Sequence, residues 1–260
     1  MNTPFDDVIR RIVELGYHNH RKAEHSDILS RGIWTDLLAL CEEIREDYDR
    51  GEIGAWLNRP APDLQRRKAD LLVCEIGESP ELPDLSLVRI CLENKSVITA
   101  HRNKGERFRD LDNFRSEVQQ RRREAIVLGT VLIGTATRYL NVADQISNRY
   151  RNSPEEFQQA VLPRLSTGDD TLWDEFPYAI SENRPDDAEK TLQHFRRLAT
   201  RAPNLTHQEG FDYLLLIPVQ IDNVNPPRVD RDNALGLDVD DEYAGLLDAV
   251  RRGYIARWHV

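Results

Sequence analysis

The ten residues from Ala125 to Gly134, AIVLGTVLIG, interrupt their apolar character with a single hydroxyl. Successive side chains of a strand point to opposite faces, so a run this apolar is stable only in a sheet covered on both sides. Helices on both faces of a sheet with parallel strands are the arrangement that supplies such cover. The run is about half as long as a membrane span of roughly 20 residues, and no other stretch comes closer. One segment thus selects an α/β fold.

The surrounding residues fit that expectation. Between Ser26 and Asp49, Trp34, Leu37, Leu38, Cys41, Ile44 and Tyr48 recur at spacings of three and four among charged residues, predicting an amphipathic helix that Gly51 terminates. The period then shortens. Residues 69–76 (ADLLVCEI) and 85–92 (LSLVRICL) read as neighbouring strands joined through Gly77, Pro80 and Pro83. Phe108, Leu111, Phe114 and Val118 predict a second helix from Gly105 to Glu124, ahead of the apolar run. A helix between two strands makes a right-handed crossover, so the run is expected parallel to one of the earlier strands. Helical patterns follow at Val142–Arg151, Pro154–Leu162, Pro185–Arg201 and Glu242–Tyr254, with another strand at Phe211–Ile221 (FDYLLLIPVQI). We read residues 1–260 as one domain, with its core at about 26–134 and an elaboration of the same sheet at about 135–260.

Asp70 heads the first of these strands and Glu93-Asn94-Lys95 ends the second. If the strands are neighbours, two carboxylates and an ammonium meet at the edge of apolar runs, where charge is costly unless paired or bound to an ion. Glu93 and Lys95, two apart, share a face. Oxygen ligands for a hard divalent cation and a lysine to orient water are what magnesium-dependent phosphodiester hydrolysis requires. Read without the topology, the same residues make an ordinary ion pair at a strand end and a turn aspartate.

The Asp70, Glu93-x-Lys95 pattern, in helix, strands, helix, strand order over residues 26–134, resembles the PD-(D/E)XK nuclease superfamily. That resemblance implies a restriction-endonuclease-like core, a mixed central sheet flanked by helices. It further implies Asp70, Glu93 and the carbonyl of Asn94 as metal ligands and Lys95 as the water-orienting residue. Ala69 stands where the family has proline. A further carboxylate from the first helix is common in this fold, and Glu24, Asp27 and Asp36 are the candidates; for each, a helix cap or solvated face is the simpler reading. The implied activity is a Mg²⁺-dependent DNA endonuclease, with Mn²⁺ as a possible substitute. Its setting would be type II restriction or another phage-defence system, with double-stranded DNA as substrate, a homodimer as assembly, and a cognate DNA methyltransferase encoded nearby. Alternatives are a catalytically idle nucleic-acid-binding protein on the same fold and a nuclease acting on RNA.

Other motifs weigh less. His18-Asn19-His20 is three adjacent letters rather than the dispersed residues of an HNH site, and a zinc cluster of His18, His20 and His25 lacks cysteine partners. With Arg21 and Lys22 these histidines make a polar approach or a plain exposed loop. His101, in the loop after Lys95, is a possible phosphate contact or a solvated loop residue. Arg121-Arg122-Arg123 ends a helix, where positive charge is favoured in any case.

The net charge of -10, taken as a whole-chain number, argues against a polyanion. It is unevenly spread. Residues 59–123 hold 14 Lys and Arg against 11 Asp and Glu, a net of +3, while residues 1–58, 124–221 and 222–260 carry -5, -5 and -3. The positive part is the one with the candidate strands, which predicts modest, salt-sensitive, metal-assisted DNA affinity. Three widely spaced cysteines and an N-terminus without an apolar leader lead us to expect a reducing cytoplasm.

Overall fold

A computed structural model describes residues 3–17, 23–61, 68–77, 81–99, 101–167 and 177–259. The chain is α/β. Helices α1 (Pro4–Leu15), α2 (Ala23–Leu40) and α3 (Glu42–Asp49) precede strands β1 (Ile53–Pro60), β2 (Lys68–Glu75) and β3 (Val88–Val97). Helix α4 (Lys104–Arg121) crosses to β4 (Ile126–Gly134), and β5 (Arg138–Val142) follows. After it come the short helices α5 (Asp144–Arg149), α6 (Pro154–Glu156) and α7 (Leu162–Ser166), and then β6 (Tyr178–Glu182), α8 (Asp187–Phe195), β7 (Tyr213–Gln220), β8 (Arg228–Val229) and α9 (Val239–Trp258). The described residues form a six-stranded mixed sheet in the order β1-β2-β3-β4-β7-β8, and a separate ribbon of β5 with β6.

The apolar run lies where its composition requires. β4 is parallel to both β3 and β7, with Glu93 opposite Gly129 and Leu128 opposite Tyr213. On one face Leu71, Leu92 and Leu128 pack under Phe5, Ile12, Leu29, Ile33, Tyr243 and Val250, from α1, α2 and α9. On the other, Leu72, Cys91, Val127 and Val131 pack under Leu111, Phe114, Val118, Leu192 and Phe195, from α4 and α8. Gly134 closes β4 because a Cβ there would strike the backbone of Ile98. A third, smaller core of Leu140, Tyr150, Phe157, Leu165 and Tyr178 holds the ribbon and the short helices together. Among the described residues no helix is long and apolar enough to cross a membrane, and Cys41, Cys74 and Cys91 are free and buried.

Three expectations need correction. The single helix of residues 26–49 is two, because Cys41 adopts an extended backbone (φ -113°, ψ 103°) between α2 and α3. The apolar spacing runs through that break since both helices bury the same side, with Leu37, Cys41 and Ile44 in one core. The second strand continues past Leu92 to Val97, because its later residues pair with β4. The third correction concerns His101 and belongs to the site.

Candidate active site

The ladder between antiparallel β2 and β3 runs from Cys74–Val88 to Leu71–Leu92. Below that point the strands part. β2 stays paired with β1, through Arg59–Ala69 and Pro60–Lys68, while β3 continues beside β4 as far as Val97–Ile133. Asp70 sits in the fork, where its carboxylate replaces the missing ladder bond: Oδ2 accepts from the backbone N of Asn94 at 2.6 Å, and Oδ1 from the hydroxyl of Ser26 on α2 at 2.6 Å. Lys95 Nζ lies 2.5 Å from Glu93 Oε1, the two side chains being 17% and 13% exposed. The fork therefore gathers two carboxylates and one ammonium in a partly desolvated place.

Electrostatics follows from that crowding. Burial, reinforced by the nearby charge of Asp70, raises the Glu93 carboxyl to about 7, against the opposing pull of Lys95. Burial also raises Asp70, with the bonds from Ser26 and Asn94 and the charge of Lys95 acting the other way. Two neighbouring carboxylates short of positive charge are poised to hold a proton or accept a cation.

Asn94, between the two charged residues, points to the opposite face and fills a polar socket. Its Nδ2 donates to Ser26 Oγ at 2.9 Å and Ser30 Oγ at 2.8 Å, and its Oδ1 accepts from Thr130 Oγ1 at 2.6 Å. Thr130 is the lone hydroxyl of the β4 run, and it and Ser30 are fully buried. These hydroxyls were the part missed by sequence reasoning. The available signal was Ser26 and Ser30, one helical turn apart on the face of α2 that otherwise buries Leu29 and Ile33.

A cleft of about 690 Å³ opens beside the fork. Ser26, Asn94 and Lys95, the residues that touch the two carboxylates, form part of its wall. Arg102, Asn103 and Arg107 stand on one side, and Asn141 and Ser181 of the ribbon on another.

The remaining candidates divide. Asp27 is close enough to Asp70 to act on its charge, and its Oδ1 is buried without a hydrogen-bond partner among the described residues. Glu24 is exposed and bonded to Arg11 at 2.7 Å, joining α1 to α2 as a surface pair, and Asp36 accepts from Tyr243 at 2.6 Å. His101 is neither solvated nor turned to the cleft. It is buried, with Nδ1 2.7 Å from Thr191 Oγ1, because the turn His101–Asn103 tucks beneath α8. Arg122 bonds Glu75 at 2.7 Å and lies over Trp258, so the middle of the arginine run is structural. His18 to Lys22 lie outside the described residues.

A divalent cation suits these donors. Asp70 and Glu93 supply hard oxygens with a shortage of compensating charge. Among the described residues no group of three or more His, Cys, Asp or Glu side chains is placed to hold a metal ion, so these two carboxylates would have to be completed by backbone carbonyl, water or substrate oxygens. Compared with protein-family models, with curated proteins and with solved structures, the chain matches none.

Proposed function

We propose that this chain is a Mg²⁺-dependent endonuclease of the PD-(D/E)XK kind, hydrolysing phosphodiester bonds of DNA in restriction or another phage-defence role. The observation that carries the reading is the meeting of Asp70, Glu93 and Lys95 where β2 and β3 part, beside an accessible cleft. Asp70 and Glu93 would hold the ion, with Asn94 contributing its carbonyl and Asp27 standing by. Magnesium, when bound, supplies charge neutralisation at the phosphate and acidifies a coordinated water. Lys95, held by Glu93, would donate a hydrogen bond that orients the attacking water. Asn94 and Ser26 keep Asp70 at the fork.

The test is cleavage of duplex DNA with Mg²⁺ by the wild type, Lys95→Ala and Asp70→Ala. Removal of a metal ligand or of the water-orienting lysine lowers the rate by about 100-fold or more, the lower end of the range for general acid–base groups. Undiminished cutting by the folded variants refutes the assignment. One observation favours a second reading, an idle nucleic-acid-binding protein: both oxygens of Asp70 are already satisfied within the protein. That reading predicts no Mg²⁺- or Mn²⁺-dependent rise in melting temperature, whereas the nuclease shows one that Glu93→Ala abolishes.

A further inference from the structure

The cleft has a shape and lining that say more about the substrate than the carboxylates do. Its floor is aliphatic, from Ile12, Leu29, Leu132 and Ile221. Three cations line the cleft: Lys95 is paired with Glu93 and Arg107 with Asp110 at 3.2 Å, while Arg102 forms no ion pair among the described residues and is left to meet an anion. Asn103 lines the cleft too, and its Oδ1 is buried without a hydrogen-bond partner among the described residues. A buried acceptor left alone costs about 1–3 kcal/mol, so this wall is arranged for a ligand that brings an N–H. Apolar floor, N–H acceptor and cationic edge together match one chemical unit, a nucleobase with its phosphate.

Size restricts the form of that unit. At about 690 Å³ the cleft lies in the range of roughly 300–1,000 Å³ that encloses a single small molecule. A stacked duplex, whose major groove alone is about 12 Å wide, cannot enter it. Enzymes that need atoms within a duplex take the nucleotide out of the stack and hold it between apolar side chains. We infer that the cleft receives an unpaired nucleotide of the substrate strand, its base over Leu29 and Leu132 and its phosphate towards Lys95, Arg102 and Arg107. This rests on the proposed nuclease reading and narrows it: the strand reaches the carboxylates from a frayed end, a flap or a locally opened duplex.

Binding is measured by fluorescence anisotropy with a labelled short single strand and a blunt duplex of equal length, in EDTA so that no cutting intervenes. Cleavage of blunt, flapped and single-stranded DNA is then compared with Mg²⁺ present. The wild type binds the single strand at least about tenfold more tightly than the blunt duplex, a ratio equivalent to about 1.4 kcal/mol. Leu132→Trp, which fills the floor, removes that preference, and Arg102→Glu, on an exposed turn, weakens single-strand binding by about tenfold even if the tryptophan variant does not fold. Equal binding of both DNAs by the wild type, or unchanged single-strand binding by folded variants, overturns the inference. Selective binding without cleavage of any substrate sustains it and refutes the nuclease reading. Cleavage of blunt duplex as fast as of flapped DNA sustains the nuclease and overturns the unpaired nucleotide.

Discussion

Replacing Glu93 by glutamine removes one negative charge from a place that already holds Asp70, and keeps the shape of the side chain. In the unfolded chain a glutamate ionises near 4.5, whereas here it does so at about 7. Between those values the unfolded chain has released a proton that the folded protein retains, so stability falls as pH rises through the window. At about 1.4 kcal/mol per pH unit, the loss amounts to about 3 kcal/mol above pH 7. Glutamine, neutral at every pH, does not incur it. At pH 8 the Glu93→Gln protein therefore melts higher than the wild type by about 6 °C, taking about 2 °C per kcal/mol for a chain of this size, and at pH 4 the two coincide. Mg²⁺ narrows the difference at pH 8, since the ion stabilises only the carboxylate form. Thermal unfolding followed by circular dichroism at the two pH values, with and without Mg²⁺, measures all four quantities. A glutamine variant that melts at or below the wild-type temperature at pH 8 refutes the claim that Glu93 is held ionised at a cost.

The same group governs activity: with the proposed chemistry, log rate rises with pH up to about 7 and levels off, and the inflection moves down as Mg²⁺ is increased. A flat profile from pH 5 to 8 excludes Glu93 as a ligand. Ser26→Ala removes one bond from Asp70 and one from Asn94, costing about 1–2 kcal/mol in urea unfolding and raising the Mg²⁺ concentration needed for half-maximal cleavage; an unchanged Mg²⁺ requirement shows that Asp70 needs no such positioning. At the start of β4, Asp212 joins Arg201 and Arg257, all nearly inaccessible, and accepts from the backbone of Val127 at 2.9 Å. Asp212→Ala leaves two buried guanidinium groups uncompensated and destabilises by about 3–5 kcal/mol, read from the urea midpoint.

Strong periodicity made the sheet centre legible. Ala125–Gly134 and Phe211–Ile221 announce buried strands by composition, and the crossover rule makes the first parallel to one of the earlier strands, which in the fold is β3. β1 gave no comparable signal because it is an edge strand, with Ala55, Trp56 and Leu57 only partly buried, and Asn58 in a positive-φ conformation. The β5–β6 ribbon was hidden for a related reason: it is short and packs one side on its own small core, so neither alternation nor a long run develops. In the site, charged residues at strand ends stood out against apolar neighbours, whereas the hydroxyls that hold them did not. Ser26 and Ser30 matter through Asn94 and Asp70, on strands 44 or more residues away, and such contacts leave no local pattern. His101 was misread because a loop histidine resembles any other until the helix covering it, α8, is in view.

The socket around Asn94 settles which way β3 faces. A strand that slips by one residue exchanges its two faces, and the flanks of β3, Arg-Ile-Cys-Leu and Ser-Val-Ile, are apolar enough on both sides to tolerate the error. Slipped, β3 would press Glu93 or Lys95 against the hydroxyls of Ser26, Ser30 and Thr130, the last two fully buried, and strand the amide in the opposite layer. Thr130, Ser26 and Ser30 thus act as a register lock on an otherwise permissive sheet. The one hydroxyl in the most apolar segment of the chain thereby fixes the face on which Glu93 and Lys95 emerge together.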